Sequence, residues 1–177
     1  KDEGNFKRSV GTCYILGLIV AVVVTAIAVP TAMPLLRLMR TDEAIIADAH
    51  SYIVTIYWGI VATVVYNMSA AMLRSIGDSR SPLVFLIMAS LLNIGLDFLC
   101  ILVFDMGVAG AGVATVASQL ISGVCCVVYG LKRYSVLRIG REHLRWNTSF
   151  AWKHVKVGLP MALQFSITAI GIMAVQS

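Results

Sequence analysis

Few residues in this chain have chemistry to offer, and those few sit close together. Asp97 stands in the run Leu91-Leu92-Asn93-Ile94-Gly95-Leu96-Asp97-Phe98 and is the only charged side chain inside any of five long apolar stretches. A lone acid in hydrocarbon costs about 2.5–3.5 kcal/mol on insertion scales, so by default it marks an ion or proton pathway. Asn93 lies one helical turn before it (i, i+4), and Thr115 and Gln119 repeat that spacing further on. Carboxylate, amide carbonyl and hydroxyl oxygens suit a hard cation such as Na⁺. The apolar neighbours Leu96, Phe98 and Ile101 penalise a bare charge, so a proton is the other way to neutralise it. A third reading makes Asp97 packing glue, hydrogen-bonded to neighbouring helices. Residue types alone leave all three open.

The elements that hold these residues are membrane spans. Of 177 residues, 59% are hydrophobic and only 13% charged, with a mean hydropathy of +0.86; soluble domains carry about 25% charged residues. Five segments, at residues 10–29, 53–73, 82–104, 108–131 and 157–177, approach or reach the roughly 20 apolar residues that cross a bilayer. Their backbone groups have no water to bond, and continuous apolarity without period-2 alternation selects helices over barrel strands. The expected fold class is an all-α integral membrane protein, a multi-pass helical bundle.

Charge placement predicts orientation. The segments before the first span, between the second and third, and between the fourth and fifth hold all but two of the 14 basic residues; the exceptions are Arg37 and Arg40. By the positive-inside rule the basic side is cytoplasmic in a cell membrane. The net charge of +5 is thus a topology signal, and no basic stripe interleaved with aromatics points to nucleic acid.

The connections are readable too. Pro30 and Pro34 follow the first apolar run, and residues 40–50 predict a short external amphipathic helix with Thr41 as its N-cap. Gly77-Asp78 is a turn signal, and Ser81-Pro82 predicts an N-cap followed by proline at the first helical position. Asp105-Met106-Gly107 is so short that the flanking spans must form an antiparallel hairpin. Taking Met106 as its centre, Asp97 and Thr115 stand at equal offsets, as do Asn93 and Gln119, which puts two polar faces at matched depth. Gly110, Ala114, Ser118 and Ser122 form a small-xxx-small stripe that lets backbones approach, whether for packing alone or to serve that seam. Residues 132–156 are basic, contain Trp146 and Trp152, and are expected along the cytoplasmic interface. The chain starts without Met and stops inside an apolar run, which reads as an internal piece of a transporter-sized protein.

Other candidates weigh less. Cys13, Cys100, Cys125 and Cys126 lack metal spacing and read as small apolar fillers. His50, His143 and His154 lie outside the spans and form no cluster. Asn67 either lines a cavity or bonds between helices. No phosphate loop, Ser-His pairing or paired intramembrane acids support an enzyme.

The order and spacing of several weak motifs resemble one family. Residues 73–82 (Leu-Arg-Ser-Ile-Gly-Asp-Ser-Arg-Ser-Pro), 92–97 (Leu-Asn-Ile-Gly-Leu-Asp), 107–115 (Gly-Val-Ala-Gly-Ala-Gly-Val-Ala-Thr) and Gly158-Leu159-Pro160 together look like the multidrug and toxic compound extrusion (MATE) transporters, across nearly the whole chain. The resemblance implies twelve helices in two lobes. Residues 1–131 would be the third to sixth helices of the first lobe, 132–156 the inter-lobe connection, and 157–177 a truncated first helix of the second lobe. In the DinF-like branch a cation or proton site has Asn and Asp on the fifth helix and Thr on the sixth, matching Asn93, Asp97 and Thr115. A partner acid on the first helix would precede residue 1. Another branch has a Glu on the seventh helix, where this chain offers only Gln164, Ser166 and Thr168. The implied activity is antiport of small organic, often cationic, compounds against H⁺ or Na⁺, with no cofactor and no metal beyond a Na⁺ at Asp97, Asn93 and Thr115. Gln119, Asn67 and Gln164 would line the cavity, and the partners would be the lipid bilayer and the transporter's remaining helices. A lipid-linked oligosaccharide flippase of the same superfamily and a non-transporting membrane scaffold are the alternatives.

Overall fold

The computed structural model describes residues 2–138 and 148–176. The elements are α1 (Asp2–Leu38), α2 (Ile46–Trp58), α3 (Ile60–Ser75), α4 (Arg80–Phe98) with a π-helical continuation (Leu99–Val103), α5 (Gly107–Arg133), a 3₁₀ turn (Ser135–Leu137) and α6 (Thr148–Gln176). The described residues contain no strand, as the unbroken apolar runs require. Among the described residues three helices are long and apolar enough to cross a membrane, and α2 with α3, bent by 42° at their break, would make a fourth if the pair is one span. Lys1, Arg141, His143, Arg145, Trp146, Ser177 and the side chain of Ser166 lie outside the described residues.

Two compact units are present. Residues 1–16 and 139–177 form one, in which Ser9 Oγ and His154 Nε2 lie 3.2 Å apart and Val10 and Ala151 are buried. Residues 17–138 form the other, and it holds every polar residue of the α4–α5 hairpin.

Four local expectations change. α1 runs through Pro30 and Pro34 instead of ending there. Proline is tolerated in membrane helices, where the helix continues through it. The external helix predicted from Thr41 gives way to a turn: the Thr41 N–H donates to Leu36 O, Asp42 accepts the Ala44 N–H at 3.0 Å, and α2 begins at Ile46. The span expected over 53–73 carries a break at Gly59, where α2 and α3 meet at 42°. Finally, α4 begins at Arg80 and is capped by Asp78, whose Oδ1 accepts the Ser81 N–H at 3.0 Å while Oδ2 accepts the Tyr134 hydroxyl at 2.8 Å. The hydrogen bonds from Ser81 and then Tyr134 favour the ionised carboxyl, so Asp78 titrates below the ordinary carboxylate range.

The second unit is organised around α5, which packs against α2, α3 and α4. Its buried face is made of small residues, among them Gly112, Ala114, Ser118, Ser122 and Gly123. A Cβ at Gly112 would lie 3.1 Å from Thr55, and one at Gly123 would lie 3.3 Å from the Tyr66 backbone nitrogen. Large apolar side chains point the other way: Ile87, Leu91, Ile94 and Leu102 are each more than half exposed. Oily outside and small inside is the arrangement of helices packed in lipid, where close backbone approach replaces the hydrophobic drive.

Candidate functional site

α4 and α5 turn on Asp105 and Gly107, both at positive φ (50° and 58°), so the connection is as tight as its three residues imply. The π-helical turn just before it lets the Met106 N–H reach back to Cys100 O at 3.0 Å. A π turn carries an extra residue, so offsets counted from Met106 as in a regular helix do not hold across it. The equal-offset pairing of Asp97 with Thr115 therefore gives way to Asn93 with Thr115: Asn93 Nδ2 donates to Thr115 Oγ1 at 3.3 Å.

Thr115 donates its own proton to Ala111 O at 2.9 Å, which leaves a hydroxyl lone pair to accept from Asn93. With that bond made, the Asn93 carbonyl oxygen is still an acceptor. One turn along α4, Asp97 Oδ1 is shut off from solvent and has no hydrogen-bond partner, the one buried side-chain polar atom so placed among the described residues. An orphaned buried acceptor costs about 1–3 kcal/mol, and more if charged. A proton or a hard cation would remove that cost.

The Asn93–Thr115 pair also forms part of the wall of a cavity of about 240 Å³ between α3, α4 and α5. Its other walls are Thr63, Tyr66, Asn67, Leu86, Ala89, Ser90, Ser118 and Gln119. None is charged, and the polar groups offer hydroxyls and amides. Thr63 donates to Gln119 Oε1, joining α3 to α5, and the Tyr66 hydroxyl donates to Pro82 O at 3.0 Å. Ser122, fully buried, donates to Phe85 O at 2.6 Å and ties α5 to α4 below.

The structure thus brings together Asn93, Thr115, Gln119 and Asn67 around one cavity, with Asp97 a turn away on the face of Asn93. Gln164 lies on α6 in the other unit and is exposed. Sequence reasoning missed Thr63, Tyr66 and Ser90, and met Ser118 only in the small-residue stripe; Thr63 and Asn67 stand at i, i+4 in one apolar run, the spacing that singled out Asn93 and Asp97. No group of metal-ligating side chains occurs among the described residues, and Cys13, Cys100, Cys125 and Cys126 are free thiols.

A family model described as MatE matches residues 1–99. The probable multidrug resistance protein YpnP of Bacillus subtilis is 36% identical over 143 residues, covering 81% of this chain and 32% of that protein. The probable multidrug resistance protein YoeA of the same organism is 27% identical over 100% of this chain and 40% of its own length. In structure, a transporter of the MOP superfamily from Pyrococcus furiosus superposes with a TM-score of 0.82 at 23% identity, over 97% of this chain and 42% of that one. The chain therefore spans about a third to two fifths of the curated relatives it matches.

Proposed function

This chain belongs to the MatE family, and we propose that it forms part of a secondary antiporter that exports organic, often cationic, compounds in exchange for H⁺ or Na⁺. The observation that carries the reading is the buried, unpartnered Asp97 Oδ1 one turn from the Asn93–Thr115 pair. While Asp97 is ionised and empty, the two-helix seam holds an uncompensated charge. A proton, or a cation shared with the oxygens of Asn93 and Thr115, removes it. The two states differ in how α4 and α5 pack against the rest of the lobe, and that difference biases alternating access. The uncharged cavity wall suits release of a cation more than retention of an anion. It thereby favours antiport over a lipid-linked oligosaccharide flippase, whose central cavity would carry cationic side chains. The basic segments, Arg74 and Arg80 among them, face the cytoplasm in this reading.

The test uses the full-length transporter in proteoliposomes. Asp97→Asn is expected to insert normally and to abolish ion-driven export, because the amide cannot change charge. Full export, or full drug resistance in cells, by that variant would sink the proposal, and so would tolerance of Asp97→Leu, the result a passive scaffold would give.

A further inference from the structure

The bend between α2 and α3 and the polar cavity share a single hydroxyl proton. Gly59 sits buried at the break, and the first turn beyond it closes through the Thr63 N–H, which donates to Gly59 O at 3.1 Å. The Thr63 hydroxyl lies 3.3 Å from that same carbonyl oxygen and also reaches Gln119 Oε1. A hydroxyl has one proton to donate, so these two acceptors compete. One belongs to the bend and the other to the cavity wall.

The competition has two resting arrangements. With Gln119 Oε1 toward Thr63, the proton is drawn to the amide. Turn that amide over and its NH₂ donates to Thr63 Oγ1, so the hydroxyl proton falls to Gly59 O. Back-bonding of a threonine hydroxyl to the carbonyl four residues earlier is a known cause of helix bending. Beside the bend, the buried Thr25 hydroxyl donates to Tyr57 O at 3.2 Å, so that carbonyl has a partner outside its own helix. Val116, next to Thr115 on α5, abuts Gly59.

We propose that Thr63 is a positioning residue that couples the state of the cavity to the bend at Gly59. A bound organic cation bearing N–H groups takes Gln119 Oε1 from Thr63, the released hydroxyl proton bonds Gly59 O, and the bend deepens. This deepens the antiport reading above, on which the identity of the occupant rests; the coupling itself is read without any ion gradient.

The experiment places nitroxide labels at Ser51 on α2 and Ser75 on α3 of the full-length protein in lipid, in a cysteine-free background. At 1.5 Å rise per residue, about 20° of extra bending shortens the label distance by roughly 2 Å. Gln119→Leu, which leaves the Thr63 proton only Gly59 O, is expected to produce that shortening with no ligand present. Thr63→Val should not produce it, Gln119→Leu combined with Thr63→Val should match Thr63→Val alone, and Gln119→Leu with Thr63→Ser should still shorten. Thr63→Ala serves for the same comparison should the valine variant fail to insert. With wild type, benzylammonium should shorten the distance, and benzyltrimethylammonium, equal in charge but without N–H groups, should not. Coupling is refuted if Gln119→Leu leaves the distance unchanged, if it shortens it equally without the Thr63 hydroxyl, or if both ammonium probes act alike. Loss of ion-driven export in wild type would instead refute the antiport reading and leave these distances to decide the coupling.

Discussion

Replacing Gly59 by alanine separates backbone freedom from close approach as the reason for a glycine at the break. Gly59 has φ −75° and ψ −6°, a conformation open to any L-residue, so no left-handed strain is involved. On propensity alone alanine would stabilise a helical position by about 0.5–1 kcal/mol. Space decides otherwise: a Cβ at this position would stand 2.2 Å from Val116 Cγ2 and 3.1 Å from Ile56 O. Val116 is β-branched and held to essentially one rotamer in a helix, so it cannot swing aside cheaply. Overpacking of this kind costs about 1–3 kcal/mol, leaving Gly59→Ala destabilised by a net of up to roughly 2.5 kcal/mol. Val116→Ala removes the clashing methyls and leaves a small void, so it is also destabilised. In the double variant the alanine methyl occupies the space that Val116 vacates, and the two costs should cancel in part, with a coupling of about 1 kcal/mol or more. The assay is thermal unfolding of the full-length protein and its three variants in one detergent, read as a double-mutant cycle. A stabilised Gly59→Ala, or costs that simply add, would refute the argument that Val116 dictates the glycine.

Two further outcomes follow from contacts described above. Asp78 titrates below its ordinary value because Ser81 and Tyr134 bond its ionised form; its stabilising contribution is therefore complete at neutral pH and lost as pH falls from about 4 through the lowered folded value. A stability profile that separates wild type from Asp78→Ala above pH 5 and converges on acidification checks this, and parallel profiles would contradict it. Ser122→Ala should lower stability by about 1 kcal/mol by depriving Phe85 O of its donor, with Ser122→Thr less tolerated than Ser122→Cys because the face is fully packed; unfolding midpoints decide it.

How much of this was legible beforehand depends on which force sets each feature. The hairpin and the polar seam were readable because turn length and i, i+4 spacing act locally, and Asn93 and Thr115 do meet. The register was not, since the π-helical turn at Leu99–Val103 leaves no mark in an apolar run, and equal offsets from Met106 do not show that Thr115 bonds Asn93. The break at Gly59 was hidden for a related reason: Trp58-Gly59-Ile60 looks like any stretch of a membrane span, and its meaning lies in Val116, 57 positions away. Pro30 and Pro34 misled in the opposite sense, because a rule learned in water ends a helix that lipid continues. At the α4 cap, Ser81-Pro82 drew the eye from Asp78, three residues upstream, which supplies the acceptor.

The reliance of α2, α3 and α4 on α5 bears on how residues 17–138 come together. Translation delivers these partners in chain order, so the kinked span and its successor enter the bilayer before the rod they lean on has been synthesised. Until residue 107 and its followers arrive, Thr55, Tyr66 and Phe85 lack Gly112, Gly123 and Ser122, the α5 residues they meet in the folded unit. A ribosome stalled ahead of α5 would thus leave α2, α3 and α4 without the helix they pack against.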